Sequence, residues 1–147
     1  MTKTMKSAEI KRLFKFVDQN SGFDLLMANL LNEKTINSMN WKGFSKNKEQ
    51  LTAQLKVYQR LLRVLPVDDR NLMEAMIKVG LHSAIQIASI PKSKFIAEYS
   101  ELFNDDHELI ETTYQKAQAI RSQLLIKHIS ALQKAEPHTA ESKLKLN

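Results

Sequence analysis

Residues 46–65 constrain the fold more than any other stretch of this chain. Leu51, Leu55, Tyr58, Leu62 and Leu65 recur at alternating spacings of four and three, the seam pattern of a helix packed along a neighbour. Val57, Leu61 and Val64 add a second apolar stripe. A helix that is apolar on two faces is covered on two sides, so this one is expected at the centre of a helical domain. Pro66 ends it, because the residue before a proline is pushed out of helical geometry.

Helix signals continue on both sides, and no segment alternates convincingly as a strand. Three Gly and three Pro in 147 residues leave long stretches unpunctuated, which favours helices. Ile10, Leu13, Phe14 and Val17 mark a first helix from Ser7 to about Val17. A short helix is expected over residues 23–32, with Leu26, Leu30 and Leu31 inward. Trp41 and Phe44 are read as a plug closing one end of the core. Asp68 or Asp69 caps a fourth helix that stops at Gly80. A very short helix follows over 83–89, and Pro91 suits the first position of another through Leu102. Asp105 with Glu108 forms an Asp-type capping box that opens a last long helix to about Lys134. The expectation is an all-α, single-domain, irregular or orthogonal bundle of about six helices over residues 1–136. It contains a helix-hairpin-helix-like segment. Residues 137–147, polar and led by Pro137, are expected to be a disordered tail.

The chemistry-bearing residues are sparse. There is no Cys, which rules out a disulfide framework, a thiol nucleophile and a Cys-based zinc site. His82, His107, His128 and His138 lack the short spacing on a shared face that a zinc site needs. There is no Gly-x-Ser-x-Gly and no phosphate-cradling glycine loop, since Gly22, Gly43 and Gly80 stand alone. The pairs Asp68–Asp69 and Asp105–Asp106 stand at helix starts, where the macrodipole favours negative charge, so capping explains them. The reading is non-enzymatic, with no catalytic residue, metal or cofactor. No apolar run approaches the roughly 20 residues that span a bilayer. Lys3 and Lys6 are not followed by the apolar core of a Sec signal. The compartment is left open between bacterial cytoplasm and export without such a signal.

Two sets of residues are candidates for contact. Lys56, Arg60 and Arg63 share one face of the central helix and could dock onto an acidic surface. The favoured alternative is an ordinary solvated stripe, with Glu98, Glu101, Asp105, Asp106, Glu108 and Glu111 as candidate internal partners. The second set is the hairpin from Met76 to Glu98. DNA-binding hairpins place two glycines around one apolar residue, so that backbone amides approach a phosphate. Here Gly80 keeps the first position and His82 occupies the second. Lys78, Lys92 and Lys94 lie nearby. The other reading of this hairpin is packing, through Leu81, Ala84, Ile85, Ile87, Ala88 and Ile90. A net charge of +6 is moderate and falls short of the dense basic field of a dedicated nucleic-acid binder.

Four motifs occur in a specific order: Tyr58-Gln59-Arg60-Leu61-Leu62-Arg63 ahead of Pro66; Gly80-Leu81-His82-Ser83-Ala84 continuing to Ile87-Ala88; Phe95 with Tyr99; and Tyr114 with Ala117 and Gln118. Together they resemble part of the helical shell of Tc insecticidal toxin A subunits and virulence-plasmid A proteins. The similarity covers residues 54–125. It implies a helical, non-catalytic module of a toxin- or virulence-associated bacterial protein. Those subunits are very long and pore-forming, and this chain has no room for a channel.

The leading expectation is a helical module that docks onto another protein. The alternative is a small nucleic-acid-binding protein using Gly80, His82, Lys92 and Lys94 with the basic faces.

Overall fold

A computed structural model describes residues 5–135. Among them the chain is all-helical, with no strand: α1 (Ser7–Gln19), α2 (Glu33–Asn37), α3 (Lys48–Val64), α4 (Arg70–Lys78), α5 (Ala84–Ser89), α6 (Lys92–Tyr99) and α7 (His107–Ala135). Short 3-10 turns at Ser45–Asn47 and Glu101–Phe103 precede α3 and follow α6. The expected all-α bundle is the fold adopted. The expected tail, 137–147, lies outside the described residues.

The two-striped helix is central. Leu51, Leu55, Leu61 and Val64 of α3 are fully buried, and α3 packs against α1, α5 and α7. Leu62, expected in the seam, is only partly buried. Leu65 leaves helical geometry with ψ 130°, as Pro66 requires. Burial of the Tyr58 ring pushes its phenol pKa up. At one end of the core the Phe16 ring meets Trp41 at 4.4 Å and Phe44 at 5.2 Å. Trp41 Nε1 donates to the Ile36 carbonyl at 2.7 Å. The plug therefore forms with its one polar atom satisfied, as a packed indole requires.

Residues 23–32 correct the expectation of a helix. The side chains of Asp24 and Asn29 accept hydrogen bonds from the backbone amides of Met27 and Leu31 at 3.3 and 3.1 Å. Such local bonds compete with the helical ladder, and the segment folds as successive turns. Leu30 alone of the three expected leucines is buried, while Leu26 and Leu31 face solvent.

Asp69 caps α4 by accepting from the Leu72 amide at 3.1 Å. At the other end Leu81 N donates to Met76 O at 2.9 Å and Gly80 N to Ile77 O at 3.1 Å. This is a Schellman closure, and the φ of +85° at Gly80 is the left-handed value it needs. Pro91 sits at the N-cap of α6, one residue ahead of its expected place. The cap of α7 is Asp106, whose side chain accepts from the Leu109 amide at 3.1 Å. The expected cap, Asp105, instead takes φ +55° beside Asn104, also at +55°. Two short polar residues that tolerate left-handed backbone turn the chain into α7.

The first half of α7 completes the core. α5 lies along it, Tyr114 donates its hydroxyl to Ile90 O at 2.6 Å, and Phe95 stacks among Tyr99, Phe103 and Tyr114. Beyond Ile120 the helix leaves the domain. Every residue from Arg121 to Lys134 is exposed.

A candidate basic cleft beside α3

The cleft is built by a buried amide. Gln59 is only 8% exposed, and its Nε2 donates to Leu25 O at 2.8 Å and Ala28 O at 2.6 Å. These bonds tie the turns of residues 25–28 to α3. One helical turn later, Arg63 donates from Nε and Nη2 to Leu26 O at 3.1 and 3.0 Å. A carbonyl satisfies the guanidinium donors without cancelling the charge.

Between the turns and the helix lies an open recess of about 350 Å³, lined by Lys56, Gln59, Arg60 and Arg63 on one side and Met27 to Leu31 on the other. Met27 and Leu31 are 74% and 84% exposed on its rim. No Asp or Glu lines it. It runs into a second recess of about 550 Å³ that shares Leu30, Leu31 and Lys56 and adds Glu33, Lys48 and Glu49. The groove is thus wholly basic at one end and mixed in charge at the other, with exposed apolar side chains between.

The three residues expected to share a face, Lys56, Arg60 and Arg63, are brought together. Their candidate internal pairing with the acidic segment 98–111 does not form. Among the described residues the ion pairs are Arg70–Asp18, Lys78–Glu74, Lys92–Glu111 and Lys94–Glu98. Acids of the segment are spent on the hairpin lysines instead.

The hairpin residues do not converge on an outside ligand. His82 is 3% exposed, its amide donates to Gln86 Oε1 at 2.8 Å, and its Nε2 lies 3.1 Å from Ile77 O. Since a carbonyl only accepts, the proton belongs on Nε2. Nδ1 faces the interior with no partner among the described residues. His82 therefore does not reach a phosphate. Gly80 is occupied in closing α4. Lys92 and Lys94 lie 3.7 and 3.8 Å from Glu111 and Glu98. Leu81, Ala84, Ile87 and Ala88 pack into the core as the packing reading requires, whereas Ile85 points out.

The cleft depends on two residues that sequence reasoning passed over. Gln59 interrupts an apolar neighbourhood, and a polar residue there was a signal that something needed a donor. Met27 gave no such signal, because its segment reads as helix. Among the described residues no group of three or more His, Asp or Glu gathers as a metal site would. Among them, too, no helix is long and apolar enough to cross a membrane. Compared with protein-family models, curated proteins and solved structures, the chain matches none.

Proposed function

We propose that this chain is a non-enzymatic helical interaction module that docks an acidic segment of another protein in the groove beside α3. The observation that carries this is the meeting of Lys56, Arg60 and Arg63 with exposed Met27 and Leu31 around a recess free of acidic side chains. Uncompensated cations attract a carboxylate-bearing partner and speed its capture. The apolar rim supplies area that a purely ionic contact lacks. The resemblance of residues 54–125 to the shell of Tc toxin A subunits supports the same reading, and with it a bacterial, toxin- or virulence-associated role. Nucleic acid is the weaker alternative, because its candidate residues are turned inward or paired.

The test is capture of partners from the native host by wild type and by a Lys56→Glu/Arg60→Glu double variant, at low and high salt. Both side chains lack partners among the described residues, so the helical melt should stay within about 0.5 kcal/mol of wild type. Recovery of an acidic partner should fall with the variant and with salt. Equal recovery by both proteins would remove the groove as the docking site.

A further inference from the structure

The projecting half of α7 carries a second surface, independent of the groove. Leu125, Ile129 and Leu132 follow at spacings of four and three, flanked by Leu124 and Ile126, and each is between 45% and 64% exposed. At about 100° per residue, Leu125, Ile129 and Leu132 form a narrow apolar stripe, with Leu124 and Ile126 set apart on either side of it. Lys127 and Lys134 fall on the opposite face with Gln123 and Ser130, while Arg121 and His128 lie between the stripe and Leu124, and Ser122 and Gln133 between it and Ile126. From Thr112 to Ala135 there is no Asp or Glu, and every charged residue is a cation: Lys116, Arg121, Lys127 and Lys134.

We propose that this half-helix is a peripheral anchor that lies in the headgroup region of an anionic lipid surface. An exposed helix whose only charges are cations and which presents Leu and Ile to solvent combines the two attractions of interfacial binding, apolar burial and charge, and the long Arg121 side chain can extend its guanidinium to the headgroups. Charge selects the occupant. A second copy would bring two all-cationic segments together. Its seam would hold only two heptads, short of the three or four that sustain a coiled coil, with no acid at any flanking position to answer Arg121. The width of the apolar surface points the same way. Leu124, Leu125 and Ile126 are consecutive and spread apolar side chains over more than half of the helix, with Arg121, Ser122, His128 and Gln133 among them, a mixed arc that fluid acyl chains and headgroups cover without a matched groove. The helix would lie on the membrane, since no described helix is long and apolar enough to cross one.

Co-sedimentation of the full chain with vesicles tests this. Wild type should pellet with phosphatidylserine-rich vesicles, remain in solution with pure phosphatidylcholine, and be released by high salt. Arg121→Glu/Lys127→Glu should weaken binding by roughly tenfold or more, given the attraction of each cation near an anionic surface. Leu125→Gln/Ile129→Gln should abolish it. All four side chains are exposed, so an unchanged thermal melt certifies that the variants fold. Equal binding to neutral and anionic vesicles, or none to either, would overturn the proposal. So would a dimer in sedimentation velocity that the Leu125→Gln/Ile129→Gln variant dissolves, which would assign the face to a second copy.

Discussion

Arg70 holds Asp18 with both terminal nitrogens, Nη1 to Oδ2 at 3.0 Å and Nη2 to Oδ1 at 2.5 Å, across 52 residues of sequence. The same guanidinium lies 5.2 Å from the centre of the Phe14 ring. One side chain thus joins the start of α4 to the end of α1, by charge and by an aromatic face. The hydrogen bond from Arg70 holds the Asp18 carboxyl below the usual carboxylate range.

A lowered folded-state pKa means that the contribution of Asp18 is present above its unfolded pKa and lost as pH falls through the folded one. Stability measured by chemical denaturation should therefore decline more steeply below about pH 4 in wild type than in Asp18→Asn. At neutral pH the variant should lose about 1 kcal/mol or less, because Asp18 is largely exposed and solvent screens the pair. Parallel acid profiles for the two proteins would show that the bidentate contact has no energetic consequence.

Leu55 and Leu62 lie on the same helix and should behave differently. Leu55 is fully buried, so Leu55→Ala should cost about 2–5 kcal/mol in denaturant unfolding. Leu62 is only partly buried, and its Ala variant should cost less than about 2 kcal/mol, because less surface is lost and no closed cavity forms. Equal losses would mean that α3 is covered on its Leu62 side as well.

Gln59→Leu keeps the bulk and removes the donor. Two carbonyls, of Leu25 and Ala28, would then lose their shared partner, at a cost of about 1–3 kcal/mol. Amide hydrogen exchange should accelerate in residues 25–31 more than elsewhere, since those turns lose their tie to α3. A uniform rise across the domain would show that Gln59 serves the core and not the cleft wall.

Duplex DNA should bind weakly, with a Kd of roughly 10⁻⁴–10⁻⁶ M at physiological salt, the range of non-specific attraction. His82→Ala should lower the melting temperature and leave that affinity unchanged, because the imidazole is buried against Ile77. Sub-micromolar binding lost on Lys92→Glu would restore the hairpin as a nucleic-acid site.

The architecture was legible where periodicity speaks. α3 announces itself because its apolar residues recur on two faces. The α4 stop is readable because a Schellman closure leaves a glycine behind. Residues 23–32 were misread because Leu26, Leu30 and Leu31 mimic a helical stripe. Capture of backbone amides by Asp24 and Asn29 is a local competition that hydrophobic spacing does not register. The cap of α7 shifted from Asp105 to Asp106 for a similar reason, since either aspartate fits the composition and only the backbone turn decides. In the cleft, the shared face of Lys56, Arg60 and Arg63 follows from helix geometry. Its opposite wall does not, being set by Gln59 reaching a segment 31 to 34 positions earlier.

The two halves of α7 belong to different energetic regimes. As far as Ile120 its backbone bonds are protected by side chains packed against α5, α3 and α6. From Arg121 they are sustained by the ladder alone, over 15 residues, a length at which a helix in water is marginal. Solvent protons should therefore replace amide hydrogens there within the dead time of a slow experiment, while those near Tyr114 persist until global unfolding. One continuous helix would report both the least and the most durable hydrogen bonds of the molecule. Whatever covers the projecting end would be seen first as a slowing of that exchange.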